Sequence, residues 1–235
     1  MSEICGPGPV LRPRGLVDLR GPGGAPGVLS YPAGAVVVVS GLPGSGKSTL
    51  LRRWSEAAPA VDPRDVHVAC EAVMPDRLPY AVYRPWARWE HFRWLRAAVR
   101  EGGAFLVHDC GSRAWMRRWL ARTAGHQGRE LHLVLLDVGA AEALAGQEAR
   151  GRWAPERVFA RHRRGLDRLL RELSAHAAAA GDEAPVCPVP NVVAEAASVV
   201  LLGRTSRERV AAVEFGPDRA CPAAPPQEPS GVAVP

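Results

Sequence analysis

The sequence predicts an α/β domain built on a parallel sheet with helices on both faces. Three observations carry that prediction: short runs of Val, Leu and Ala almost free of polar residues, stretches of helical periodicity between them, and a glycine-rich turn joining the first run to the first helix. Strands buried on both faces read as near-continuous apolar runs, whereas strands with one wet face alternate. The domain is expected over 35–214, after a Gly/Pro-rich leader (1–34) and before a Pro/Ala-rich tail (215–235).

The leader holds eight glycines and six prolines. So little of it can be buried that a loose segment is expected, with a short docked piece at 16–19. The first strand is 35–39 (AVVVV), where β-branched composition decides for strand because period alone does not. A helix follows over about 46–57, and 61–62 ends a second strand. A largely helical excursion then runs to Arg100, interrupted at Pro75, Pro79 and Pro85. The third strand is 104–108 (AFLVH), followed by a helix at 112–123 and a fourth strand at 131–136 (LHLVLL). Helices at 140–149 and 155–176 precede a proline-rich loop through Pro185 and Pro190; 198–202 (SVVLL) closes the sheet, with a short helix after Thr205.

Composition narrows the function classes. A chain that is 47% hydrophobic and 23% charged is globular rather than disordered or collagen-like. No apolar stretch approaches the roughly 18 residues of a membrane span. The first ten residues, MSEICGPGPV, lack the basic and apolar regions of a signal peptide. The five cysteines (Cys5, Cys70, Cys110, Cys187 and Cys221) are scattered, with no CxxC pair. That argues against a disulfide framework or zinc site and for a cytoplasmic, reducing setting with no membrane partner.

Of the 30 basic residues only Lys47 is a lysine; the other 29 are arginine. Where every interchangeable lysine has become arginine, the survivor marks a position needing a compact point charge rather than a planar fork. Lys47 stands in Gly41-Leu42-Pro43-Gly44-Ser45-Gly46-Lys47-Ser48-Thr49, directly after the first strand and opening the first helix. This is G-x-x-x-x-G-K-[ST] in its required context. Its glycines let successive N–H groups turn inward, and the helix start adds its positive end. Lys47 is then expected to reach the β- and γ-phosphates of a nucleoside triphosphate, and the Ser48 hydroxyl to ligate Mg²⁺.

GLPGSGKSTL in this setting resembles the P-loop kinases of the polynucleotide-kinase and zeta-toxin group, AAA-family ATP-binding proteins, and the resemblance extends over about 35–205. It implies a P-loop NTPase three-layer sandwich of the kinase type, with a five-stranded parallel sheet in the order 2-3-1-4-5, a helical lid after the fourth strand, and phosphoryl transfer from ATP to an acceptor hydroxyl. Such kinases carry an aspartate after the second strand, commonly followed by an arginine. Here the stretch is VDPRDVH, so Asp62 or Asp65 is the candidate base, with Arg64 or His67 in the arginine's place. Asp62-Pro63 also reads as a helix cap followed by proline in the first turn. The third strand ends in Asp109, which the resemblance assigns to the acceptor or the metal's water shell; the other reading is a cap of the next helix. Asp137 reads as structural, and His108 as a packed strand residue.

From 150 to 171 eight arginines face only Glu156 and Asp167, a surplus equal to the chain's net charge of +6. In the helix at 155–176, Arg157, Arg161, Arg164, Arg168 and Arg171 form one stripe, and Val158, His162, Leu166, Leu169 and Leu173 an apolar one. That arginine stripe reads as a solvated face, and His162 as a core residue. The resemblance places Arg150 and Arg152 as lid arginines over the transferring phosphate, with Gln147 where the family often has another arginine. The stretch 83–100 (YRPWARWEHFRWLRAAVR) interleaves arginines with Trp86, Trp89, Phe92 and Trp94, suited either to stacking an acceptor or to core packing.

Together these features point to a Mg²⁺-dependent ATP kinase in which Lys47, Asp62 or Asp65, Asp109, Arg150 and Arg152 do the chemistry. The acceptor is a polynucleotide 5′-hydroxyl, a nucleoside or a small metabolite, so nucleic acid is one partner class. The alternative is a nucleotide-dependent ATPase or interaction module without an acceptor.

Overall fold

A computed structural model describes residues 9–21, 24–75, 77–109, 114–151, 154–180 and 186–216. In chain order its strands are β1 (Val10–Leu11), β2 (Gly15–Leu19), β3 (Val28–Pro32), β4 (Val36–Gly41), β5 (Ala60–Val61), β6 (Phe105–His108), β7 (Leu131–Leu136), β8 (Ser198–Leu202) and β9 (Ala212–Gly216). The helices are α1 (Lys47–Trp54), α2 (Pro63–Glu71), α3 (Tyr80–Glu101), α4 (Ala114–Gly125), α5 (Ala140–Glu148), α6 (Glu156–Ala180) and α7 (Arg204–Arg209).

The main sheet has six parallel strands in the order β2-β8-β7-β4-β6-β5. Read from β5, its first five strands are second, third, first, fourth and fifth of those expected, so the 2-3-1-4-5 order is present. A sixth strand, β2, is added outside β8. It comes from the leader, which is far from loose: β1 and β3 also belong to it, and they pair with β9 as a small parallel sheet in the order β1-β3-β9. Averaging over 34 residues hid short apolar runs whose Leu16, Leu29 and Tyr31 are buried, while the glycines and prolines punctuate between them. β9 likewise carries regular structure through Phe215 and Gly216, where the tail was expected to start.

β4 shows why the sheet is buried on both sides. Val36 and Val38 pack into a layer with Leu95 of α3, Leu120 of α4 and Leu166 and Leu173 of α6. Val37 and Val39 pack into the opposite layer with Leu50 and Trp54 of α1, Leu29 of β3 and Val213 of β9. One face is thus covered by helices and the other by α1 and the small sheet. Fully burying each such side chain contributes about 1.5–3 kcal/mol.

Pro85 does not interrupt the excursion as expected; it lies inside the 22-residue α3. A proline there costs roughly 3 kcal/mol, offset by the burial of Tyr83, Ala87, Leu95 and Val99 along the same helix. The aromatic stretch divides. Trp86 and Trp94 pack beside Val66 and Tyr83, Phe92 packs on Trp119 with centroids 4.6 Å apart, and Trp89 stays exposed under the Arg93 guanidinium. In α6 the five-arginine stripe is exposed and His162, Leu166, Leu169 and Leu173 are buried, as the 3.6-residue period requires.

At the amino edge of the sheet the buried Arg129 joins three segments by donating to the carbonyls of Gly34, Val99 and Gly103. At the carboxyl edge β4 runs into the glycine-rich turn, and β5, β6 and β7 end in Asp62, His108-Asp109 and Asp137. That edge is where open α/β sheets bind ligands.

Candidate functional site

The turn between β4 and α1 is held from three sides. Gly44 and Gly46 both have φ of 91°, a left-handed conformation that side-chain-bearing residues avoid. Leu42 is buried in the helical-side core and anchors the turn's start. Lys47 is only 3% exposed, and its Nζ donates to the carbonyls of Gly41 (2.9 Å) and Leu42 (2.7 Å). The ammonium is thereby held against the first two residues of the turn. From outside, Arg207 of α7 donates to the Ser45 carbonyl at 2.8 Å and to Glu142 of α5 at 3.1 Å. Arg53 of α1 in turn reaches the carbonyls of Arg207, Glu208 and Val210 at 3.2–3.4 Å, fixing α7 in place.

α5 lies directly against the turn. A Cβ on Gly44 would stand 1.9 Å from the Ala143 carbonyl oxygen, and one on Gly146 would stand 2.3 Å from the Gly44 oxygen. Two glycines therefore permit a backbone-to-backbone approach that no other pair would.

A cavity opens on each side of the α1 start. One, of 380 Å³, is lined by Gly44, Gly46, Thr49, Arg53, Arg150 and Arg207. The other, also of 380 Å³, is lined by Ser48, Arg52, Asp62, Arg64 and Asp65. Ser48 and Thr49, adjacent in sequence, face different cavities.

Asp62 is 6% exposed and sits where the second cavity meets the turn. It is the cap of α2, accepting from the Arg64 amide at 2.8 Å, so the capping role foreseen for Asp62-Pro63 is present. It does more than cap: His108 Nδ1 lies 2.8 Å from Oδ1, and Ser48 of the phosphate turn lines the same cavity. Burial pushes this carboxyl up, but the hydrogen bond and charge of His108, with the Arg64 amide and Ser48, hold it well below the usual carboxylate range. Asp65 is exposed in the first turn of α2 and lines the same cavity. Asp109 is 4% exposed, and its amide donates to Val39 of β4 at 2.9 Å, placing it beside the strand that enters the turn. Asp137 pairs with Arg20 at 3.0 Å; Arg20 also binds Asp18 and Ser174, tying the end of β2 to β7 and α6.

Arg150 lines the first cavity, close to Gly44 and Thr49. Arg152 lies outside the described residues. Gln147 is 5% exposed, lies beside Gly44, and accepts from the Ala154 amide at 2.7 Å, holding the start of the segment after α5. The reading of His108 as mere packing missed its pairing with Asp62. The signal was available: if strands two and three are neighbours and Val61 faces Val107, the next residues, 62 and 108, also face. The Arg207–Glu142 pair carried no comparable sequence mark.

The pieces fit a triphosphate with its metal. The turn has two left-handed glycines, a lysine bonded to its first two carbonyls, and Ser48 in one cavity with the buried carboxylate of Asp62. Among the described residues no group of three or more His, Cys, Asp or Glu is placed to hold a metal ion. Mg²⁺ is bound through few protein oxygens together with phosphates and water, and the Ser48 hydroxyl would be one of them.

The sequence model of the family described as "AAA domain" matches residues 36–169, more than half of the chain. The chain belongs to that family. The AAA domain includes the phosphate turn, the excursion through α2 and α3, and the lid region up to α6, in agreement with the resemblance to P-loop kinases. A search of the curated proteins finds no match. Among solved structures, the chain is similar to a gluconokinase from Sinorhizobium meliloti, at 16% identity and a TM-score of 0.42 over 74% of this chain and 84% of that one. It is similar to a sugar kinase from Janibacter sp. at 18% identity and a TM-score of 0.37 over 74% and 91%. A chain of the PezAT chromosomal toxin-antitoxin system of Streptococcus pneumoniae matches at 14% identity and a TM-score of 0.40 over 50% and 52%, so this chain spans about half of that relative's length.

Proposed function

We propose that the protein transfers the γ-phosphoryl group of ATP to an acceptor hydroxyl. The observation that carries this reading is the buried Asp62–His108 pair, whose carboxylate lines the second cavity together with Ser48 of the phosphate turn. A nucleotide-binding module without an acceptor has no need of a buried carboxylate there.

In this reading the turn amides and Lys47 hold the β- and γ-phosphates, and Arg150 and Arg207 face the nucleotide from the first cavity. Arg152, outside the described residues, is assigned with Arg150 to the transferring phosphate. The Ser48 hydroxyl would offer the protein's oxygen to Mg²⁺, which would neutralise phosphate charge. Asp109 orients water on the same side. The acceptor oxygen forms its bond to the γ-phosphorus as the bond to the β,γ-bridging oxygen breaks, and ADP departs with that electron pair. The hydroxyl proton passes to Asp62 or to the transferred phosphate. A carboxyl held so far below its usual range is a weak base, so Asp62 acts mainly by orienting the hydroxyl; a loose transition state asks little more. Asp65, solvated, helps admit the acceptor. The two free cysteines among the described residues, Cys70 and Cys187, agree with work in the cytoplasm.

The test is a screen of 5′-hydroxyl oligonucleotides, nucleosides and small polyols for an ATP-dependent gain of one phosphate by mass spectrometry. Transfer is expected to fall about a hundredfold or more in Asp62→Asn while ATP affinity changes little. No transfer to any acceptor, together with hydrolysis indifferent to Asp62→Asn, would sink the proposal.

A further inference from the structure

On the helical face of the sheet α3, α4 and α6 pack over one core, and their outer surface joins exposed aromatic rings to arginines. On α3, Trp89 is 59% exposed, with the Arg93 guanidinium 5.7 Å from its ring centroid. One turn further on, Phe92 reaches across to α4, its ring centroid 4.6 Å from that of Trp119 and 6.4 Å from that of Trp115. Trp115 is itself 54% exposed. Large rings left in water as one contiguous run mark an interaction surface, which isolated apolar residues do not.

α4 carries this surface onward. Arg118 and Arg122, one turn apart and exposed, line a 490 Å³ groove with Ala114, Ala121 and Val192. Ala114 and Val192 also line a 410 Å³ groove against α6, where Arg161 and Arg168 stand exposed. The acids of the two grooves are already engaged: Glu195 pairs with the buried Arg117 at 2.9 Å, and Glu172 with Arg168 at 2.9 Å. Among the described residues no carboxylate pairs with Arg118, Arg122 or Arg161. None of these side chains lines the two cavities beside α1.

We propose that this face binds single-stranded nucleic acid, with bases stacking on Trp89 and Trp115 and phosphates following Arg118, Arg122 and Arg161. Aromatic platforms beside a basic groove are the chemistry that holds a single strand without regard to sequence. The rings decide against a duplex, whose base faces are taken up by their own stacking. An acidic protein segment would satisfy the arginines and leave the indoles unused, and a flat bilayer would not enter the grooves. Packed helices lie about 8–10 Å apart, so the face spans roughly 20 Å and suits a short stretch of strand, on the order of 4 nucleotides. The inference goes beyond phosphoryl transfer and holds with or without it.

The test titrates the full chain into a dye-labelled oligothymidylate followed by fluorescence anisotropy. The strand carries a 5′-phosphate, so it offers no 5′-hydroxyl acceptor. Saturable binding is expected, with log K falling against log salt at a slope of about −2, as for three neutralised phosphates. Trp115→Ala should weaken binding about tenfold, whereas Arg118→Gln together with Arg122→Gln should flatten the salt slope by about 1.4. Arg161→Gln, on a different helix, supplies an independent reading and should flatten it by about 0.7. All four side chains are exposed, so the variants are expected to melt with the parent. Parallel arms use the same strand paired with its complement and phosphatidylglycerol vesicles. No saturable binding of the strand, binding of duplex or vesicles at least as tight, or an affinity and salt slope indifferent to these substitutions would overturn the proposal.

Discussion

Lys47 shows how one residue's chemistry is written in the rest of the composition. A chain that uses arginine 29 times and lysine once keeps the lysine where two carbonyls at 2.9 and 2.7 Å receive a compact ammonium in a site 3% exposed. A guanidinium has neither the shape nor the flexibility for that space. Lys47→Arg should therefore weaken ATP binding about a hundredfold by calorimetry although the formal charge is kept. His132 makes a different prediction. Its folded value of about 4 lies below the 6.5 of an exposed histidine, so below pH 6.5 the unfolded chain takes up a proton that the native ring refuses. Its contribution is complete above pH 6.5 and declines as pH falls toward 4, by at most about 3 kcal/mol. Urea titrations across that window should show a shallower loss in His132→Asn than in the parent. At this scale the sequence was legible where a motif fixed position, as at Lys47, and silent where a partner arrives from a distant strand, as with His108 beside Asp62.

At the scale of elements, α5 and the phosphate turn behave as one piece because Gly44 and Gly146 let their backbones touch. Gly146→Ala should raise the intrinsic helix preference of α5 by about 1 kcal/mol, yet its Cβ would stand 2.3 Å from the Gly44 oxygen and force the turn to shift. The expected outcome is ATP affinity lowered about tenfold with a melting temperature little changed, a combination that calorimetry and thermal unfolding on one sample would reveal. The fourth and fifth expected strands coincide with β7 and β8 because their runs are long, apolar and clearly bounded. β2 coincides with the docked piece expected at 16–19, whereas β1 and β3 escaped because each is two to five residues long and framed by glycine and proline. Pro85 was read as a break because propensity says so; the buried side chains of α3 override it.

Across the whole molecule, β2 completes the sheet. Without it β8 would present an open parallel edge, and Leu16 and the Arg20 bridge to Asp137 would be lost. Removing residues 1–21 should cost about 3–5 kcal/mol, lowering Tm by roughly 10 °C. The exposed edge should also bring concentration-dependent association, measurable by light scattering. A truncated protein that melted with the parent and stayed monomeric would show that β2 is dispensable. The sheet order was legible from the alternation of strands and helices. The strand added from the leader was not, because its partner β8 lies some 180 residues on, a separation that no local pattern encodes.

The small sheet has a consequence for chain connectivity. β1 and β9 flank the same strand, so they run about 10 Å apart, with Val10 level with Val28 and Gly216 level with Pro32. A bridge of about six residues would span that diagonal. Joining Gly216 to Val10 and reopening the backbone at the exposed Gly102-Gly103 between α3 and β6 would yield a circular permutant. The phosphate turn would then follow α7 in the chain rather than precede it, with every contact around Lys47 left in place.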